Sequence, residues 1–426
     1  MEVSVVADDL SGAMEAASMF LLRTTRIDVT LGSRRRPDDL SEIPPRVHVL
    51  DTDSRHMKPE QAAAAVGAAW DQLGAGGTVI KKVDSLLRGH PAAEIEQVLT
   101  RTSELVIAVA LPARGRTVVE GRLLVDGIPL SATDLWRTEG RPPAEDVAAA
   151  FGTVPTVAVN LSAVRAGTAR LAQTMRSAVA GGYIPICDGR TDADLDEVVG
   201  AARLAFHRPV LIGSAALAAA MARDMAPDPA VAGRPVGCVA ERPAQVPQIR
   251  PGILVVVGTN APTIASQLDR LRVQHPELIS IATDDLFDSG RLAALSDQIR
   301  TAVAARPLTV AYLDPSAEIR PSQASRMVQG LAVAVTAGAD LACGLLLTGG
   351  ETARRVLDQL GVDHLQPLSA VHHGAVVSLA RGQRAHPGPG EVRLVATRPG
   401  SFGDVDSLAA MVSSLYPRYF YNKESS

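Results

Sequence analysis

A chain of 426 residues is too long for one ordinary domain and long enough to build two, each with its own core. With 46% hydrophobic and 21% charged residues it reads as globular rather than disordered. A formal charge of -4, a pI near 6.2 and only 3% aromatics supply neither a basic field nor a stacking platform, which excludes nucleic acid and anionic membrane as expected partners.

In chain order, strand patterns over 2–7, 47–50, 78–82, 105–111, 157–161, 184–187 and 210–213 alternate with helix patterns over 11–22, 59–73, 91–100, 195–206 and 215–225. That order predicts an α/β fold, a mostly parallel sheet with helices on its faces. Pro227, Pro229, Pro235, Pro243, Pro247 and Pro251 then fall in a stretch with little periodicity, the mark of an extended linker. A second α/β series follows, with strand patterns at 253–257, 278–282, 308–313, 343–347, 375–379 and 392–396 and helix patterns near 262–274 and over 320–337. The expected domains are 1–226, a Pro-rich linker at 227–252, and 253–426.

Arg34, Arg35 and Arg36 form the only dense basic run, read as a solvated loop. Cys187, Cys238 and Cys343 lie far apart with no CxxC pair, Asp8 and Asp9 interrupt any signal-peptide core, and no 18-residue apolar run follows. The expected location is the cytoplasm. A homo-oligomer is compatible with this reading.

Ligands of open parallel sheets sit beyond the carboxyl ends of the strands, so residues just after each strand matter most. In the first domain these are Asp8, Asp9, Ser11 and Gly12; then Asp51, Asp53, Ser54 and Arg55; then Lys82, Asp84, Ser85, Arg88 and Gly89; and then Arg114 and Arg116. Carboxylates, hydroxyls and cations delivered to one sheet edge suit a small polyhydroxylated acid: arginine grips a carboxylate, and aspartates accept from hydroxyls. An aspartate there can also take a proton from an attacking hydroxyl. Blander roles stand beside these. Asp8 or Asp9 can simply cap the next helix, Asp53 and Arg55 can form a surface ion pair, and alternation in the strand turns either Lys81 or Lys82 away from the site. His90, His372 and His373 carry no metal-ligand spacing.

The second domain has glycine turns instead. Val257-Gly258-Thr259-Asn260, Thr348-Gly349-Gly350-Glu351-Thr352 and Arg398-Pro399-Gly400-Ser401-Phe402-Gly403 each join a strand to a helix. Such turns offer backbone N–H groups and a helix dipole to phosphates; Glu351 can hold a ribose or, through water, a metal. Walker, kinase-loop, GxGxxG and serine-elbow motifs are missing. Lack of the GxGxxG fingerprint weighs against an NAD(P)-dependent dehydrogenase. A non-catalytic sugar-acid sensor needs no glycine turns.

Together these motifs resemble the four-carbon acid sugar kinases. The matching stretches are Ala7-Asp-Asp-Leu-Ser-Gly-Ala13, Thr52-Asp-Ser-Arg55, Lys81-Lys-Val-Asp-Ser-Leu-Leu-Arg-Gly89, Gly115-Arg-Thr117, Gly213-Ser-Ala215, Thr348-Gly-Gly-Glu-Thr-Ala353 and Pro399-Gly-Ser-Phe-Gly403. The resemblance implies an N-terminal sugar-acid domain, a C-terminal nucleotide domain, an active site in the interdomain cleft, and phosphorylation of the terminal hydroxyl of a tetronate or 3-oxo-tetronate by ATP with Mg²⁺. Substrate contacts are expected from the residues after the first-domain strands, Asp8, Asp9, Ser54, Arg55, Lys82, Asp84, Ser85, Arg88 and Arg116. ATP contacts fall to Gly258, Thr259, Asn260, Gly349, Gly350, Glu351, Thr352, Gly400 and Gly403. Catalysis is expected from Asp9 or Asp84 as base and Lys82 as a balancing charge, with metal ligands unassigned. Leu86 stands where the family usually has Thr, and Arg398 where it usually has Lys.

Overall fold

The structure is a computed structural model describing residues 2–32, 45–74, 76–137, 139–229, 231, 252–259, 261–314, 323–382, 393–400 and 402–415. Asn260, the basic run at Arg34, Arg35 and Arg36, Cys238, and the linker stretch apart from 227–229, 231 and 252 lie outside the described residues. The chain divides into two units, Met1–Arg234 and Pro235–Ser426.

The first unit runs β1 (Val3–Ala7), α1 (Leu10–Ser18), β2 (Ile27–Leu31), β3 (Val47–Asp51), α2 (Pro59–Trp70), β4 (Thr78–Lys82), α3 (Pro91–Leu99) and β5 (Leu105–Ala108). A ribbon follows, β6 (Arg116–Val119), β7 (Arg122–Val125) and β8 (Ile128–Pro129). Next come α4 (Val147–Ala150), β9 (Thr156–Val159), α5 (Leu161–Val164), α6 (Thr168–Ala180), β10 (Ile184–Cys187), α7 (Asp192–Ala205), β11 (Val210–Gly213) and α8 (Ala215–Asp224).

Its sheet has the order β2-β3-β1-β4-β11-β5-β10-β9, with all neighbours parallel. Helices cover both faces of such a sheet, so β1 is apolar on both sides, with Val3, Val5, Val6 and Ala7 all buried. The connections after β1 lead toward β2 and β3, whereas the chain after β4 leads away toward β5. The β1–β4 boundary is therefore the topological switch point, where a crevice opens at the carboxyl ends.

Helix α1 starts at that boundary. Asp9 caps it by accepting from Gly12 N at 2.9 Å, and the small side chains of Ala13, Ala16 and Ala17 bury fully against the sheet. The pattern reading missed β2 because Asp28 and Thr30 interrupt its apolar run. Both are buried, since Thr30 Oγ1 bonds Asp28 at 3.1 Å and His48 Nε2 at 3.0 Å. The antiparallel ribbon β6-β7-β8 was also unexpected. It is tied to the main sheet by a bridge between Val118 and Gly189 and by Asp188, which accepts from the backbone N–H groups of Glu120 and Gly121.

The second unit comprises β12 (Ile253–Val257), α9 (Ile264–Leu271), β13 (Glu277–Ile281), α10 (Ser289–Ala305), β14 (Leu308–Leu313), α11 (Ala324–Leu341), β15 (Gly344–Thr348) and α12 (Gly350–Gln359). It ends with β16 (Val362–His372), β17 (Ala375–Gly382), β18 (Arg393–Arg398) and α13 (Ser407–Leu415). The strand order is β13-β14-β12-β15-β18-β17-β16, parallel from β13 to β18 and antiparallel thereafter. Val255, Val257, Leu346 and Ala396 pack with Ile264, Leu268, Leu408 and Met411 in one buried cluster, which fixes α9 and α13 on the sheet. Strand β16 escaped sequence reading because Pro367 breaks its pattern; it sits at a register shift between Pro367 and Ser369. No helix among the described residues is long and apolar enough to cross a membrane.

Candidate functional site

In the first unit, the ends of β1, β3 and β4 bring together Asp8, Asp9, Arg55, Lys82 and Asp84. The register places Ala7 beside Asp51 on one side and Lys82 on the other, so the residues after these strands emerge side by side. The turn after β3 folds back through Ser54 N and Arg55 N, which both donate to Asp8 O. Arg55 then reaches across β1. Its Nε and Nη2 donate to Asp8 at 2.8 and 2.9 Å, and its Nη1 and Nη2 donate to Asp9 at 2.8 and 2.7 Å. The surface pair Asp53–Arg55 considered above is not made. Asp9, by contrast, both caps α1 and faces the site.

Asp84 is held differently. Arg88 Nε and Nη2 grip it at 2.7 and 2.9 Å, while the backbone N–H groups of Leu86 and Arg88 add bonds at 3.1 and 3.3 Å. Burial opposes its ionisation, but Arg55, Arg88 and Lys82 prevail and hold the carboxyl far below the usual range. Burial likewise opposes ionisation of Asp8, which Arg55, Lys81 and Lys82 nonetheless pull below its ordinary value. Asp9 goes the other way: burial, reinforced by the neighbouring Asp8 charge, outweighs Arg55 and raises it. Adjacent carboxylates pushed apart in this way suit different tasks. Asp9 Oδ2 accepts a single bond and keeps a lone pair for a hydroxyl.

The two lysines separate cleanly. Lys81 is fully buried and pairs with Glu94 of α3 at 2.8 Å; Glu94 also accepts from Ser54 Oγ at 2.7 Å, and Thr52 joins Ser54 to Ala7 O. Ser54, expected to touch substrate, thus belongs to this buried network beneath the Arg55 turn. Lys82 lies on the α1 side, its Nζ donating to Val83 O at 3.0 Å and standing 4.0 Å from Glu15. Gly12 admits it, because a Cβ there would lie 3.0 Å from Lys82 Nζ. Arg116, at the start of the ribbon, donates through Nη1 to Ser85 Oγ. Sequence reasoning missed the segment behind this turn, where Trp136 Nε1 donates to Leu86 O at 2.9 Å and Arg141 to Gly89 O at 2.8 Å.

In the second unit, β12, β15 and β18 are adjacent and parallel, so their glycine turns share one sheet edge. Backbone bonds join them in series: Gly258 N donates to Thr348 O at 3.3 Å and Gly349 N to Arg398 O at 2.9 Å. Gly349 has φ +88 at the N-cap of α12, a conformation only glycine adopts freely. Beyond it the first turn of α12 presents unpaired N–H groups, with half-exposed Glu351 beside them. Thr352, expected as a contact, is buried, with its hydroxyl packed against Gly258. Thr259 packs against Gly400. Gly403 closes over Arg398, whose Nη1 donates to Ser407 Oγ at 2.7 Å and whose pKa burial pushes down to about 10.

Close packing makes Gly258 a sensitive point, since a Cβ there would lie 2.0 Å from Thr352 Oγ1. Gly258→Ala is expected to shift the turn and cost about 1–3 kcal/mol of stability, and if the turn holds phosphate, as the sequence reading expects, to weaken nucleotide binding by about tenfold or more. Calorimetric titration of the variant with ADP checks this; wild-type affinity would show that the turn takes no part.

A model of the sugar-binding N-terminal domain matches residues 3–221, and a model of the nucleotide-binding C-terminal domain matches residues 254–408. A D-threonate kinase of Cupriavidus necator is 32% identical, with 95% of each chain covered. A 3-oxo-tetronate kinase of Methylobacterium radiotolerans is 28% identical, covering 95% of this chain and 97% of its own. A solved structure from Salmonella typhimurium LT2, 18% identical, superposes with a TM-score of 0.76 over 97% of this chain and 98% of that one, a likeness of fold alone.

Proposed function

This chain belongs to the four-carbon acid sugar kinase family, and from that premise we propose that it transfers the γ-phosphoryl group of ATP to the terminal hydroxyl of a tetronate or 3-oxo-tetronate. What supports this most is the gathering of carboxylates and cations at the β1–β4 edge, where Arg55 clasps Asp8 and Asp9, Arg88 clasps Asp84, and Asp9 Oδ2 accepts a single bond and stays open to a hydroxyl. In this reading Asp9 takes the proton of the attacking hydroxyl. The hydroxyl oxygen bonds to the γ-phosphorus as the bridge to the β-phosphate breaks, and ADP leaves. Asp84, held by Arg88 and backbone donors, stays ionised and orients the hydroxyl, while Lys82 balances the charge that develops.

The glycine turns and the first turn of α12 would hold the nucleotide phosphates. Mg²⁺ usually keeps several waters and binds through one or two carboxylates plus phosphates, so half-exposed Glu351, beside these N–H groups, fits a water-mediated contact. The metal would supply neutralisation of phosphate charge.

The test is ADP formation with Mg-ATP against both threonates, both erythronates, 3-oxo-tetronates and longer aldonates. One four-carbon acid is expected to give the largest kcat/KM, with the product phosphate on C4 by phosphorus NMR. Acid binding without ADP formation on any of them would replace the kinase reading with a sensor.

A further inference from the structure

Arg116 stands apart from the other cations of the first-unit site. Arg55 is spent on Asp8 and Asp9, and Arg88 on Asp84, while Lys82 lies 4.0 Å from Glu15. Arg116 makes no ion pair among the described residues; its one side-chain bond is from Nη1 to Ser85 Oγ. Among the described residues Nε is buried without a partner, and Nη2 makes no bond.

Those two nitrogens form one edge of the guanidinium, the edge that receives a carboxylate through two parallel bonds. A buried N–H without an acceptor is costly, and a ligand oxygen would remove that cost. Burial, the first cause, and the nearby Arg88 and Arg114 charges press its pKa down despite Asp84 and Glu15, so an arriving anion gains from the same imbalance.

The backbone around it is built to hold this position. Leu111 N donates to Arg116 O at 2.8 Å and Arg116 N to Leu111 O at 3.2 Å, which ties the ribbon to the end of β5. Gly115 before it has φ +65, and a Cβ there would strike Asp126.

We propose that the Nε–Nη2 edge of Arg116 receives the carboxylate of the sugar acid and thereby selects acids over neutral sugars. This rests on the kinase reading above and adds which atom group reads the acid. The wild type should prefer the tetronate over its uncharged amide and over the matching tetritol by about 10²-fold or more in kcat/KM, because a site built for a hydrogen-bonded group rejects analogues lacking it. In Arg116→Met that preference should shrink to within about tenfold, and Arg116→Lys should retain part of it through charge without the fork.

Three outcomes are decisive. An Arg116→Met enzyme that keeps the wild-type preference overturns the proposal and leaves the kinase reading standing. A wild-type enzyme that uses amide and acid equally overturns it even if the variant fails to fold. A wild-type enzyme that forms no ADP with any tetronate overturns the kinase reading, and this proposal falls with it.

Discussion

Replacing Asp9 with asparagine is expected to lower kcat by about 10²- to 10⁴-fold, the range for loss of a positioned general base, while the first unit stays folded. Asparagine is as good an N-cap as aspartate, so the bond from Gly12 N survives, and Asp8 remains to pair with Arg55. The pH profile makes the assignment specific. A base must be ionised to act, and burial beside Asp8 holds Asp9 above the ordinary aspartate value. Activity should therefore fall as pH drops through that raised value, and the acid limb of kcat/KM should lie above the ordinary value of about 3.9. If Asp84 were the base, the limb would lie far below that value, because Arg88 and Arg55 keep its carboxyl ionised. A limb at low pH, or an Asp9→Asn enzyme with full turnover, would move the role away from Asp9.

The parts of the site legible in sequence were those fixed by chain direction. Once β1, β3 and β4 are read as parallel strands, the residues after them must gather at one edge, and the same holds for the turns after β12, β15 and β18. Illegible were the roles decided by side-chain direction. Alternation along β4 allowed either lysine to face the site; Glu94 on α3 captures Lys81, and no local pattern announces that pairing. Ser54 and Thr352 sit in stretches that resemble binding motifs, yet both are buried, because a tight turn needs its hydroxyls inside as partners or packing. Strands β2 and β16 were missed where buried polar residues or proline break the apolar pattern, and their place depends on partners remote in sequence. The ribbon that carries Arg116 is set by Asp188 and Gly189, some seventy residues downstream.

The largest expected loss of stability follows from Arg55→Met. Its guanidinium makes four hydrogen bonds to two neighbouring carboxylates, and the Asp8 side chain is only 4% exposed. Removing the cation leaves two adjacent acids without their counter-ion, and breaking a buried pair from one side costs about 3–5 kcal/mol. Lysine cannot repair this, since one ammonium cannot span both carboxylates with a planar fork, so Arg55→Lys should recover part of the stability and little of the activity. The pH dependence has a definite sign. In the wild type Asp8 lies below its unfolded value, so its contribution is present at neutral pH and is lost as pH falls through the folded value. Without Arg55 only Lys81 and Lys82 are left to oppose burial, and Asp8 rises above its wild-type value. Folding the variant therefore releases fewer protons than folding the wild type, and acidification costs it less stability. The deficit relative to wild type should therefore be largest near neutral pH and shrink on acidification, which urea unfolding at two pH values can read. An Arg55→Met chain with an undiminished midpoint, or with a deficit that does not change with pH, would mean that Asp8 and Asp9 are held by something other than this guanidinium.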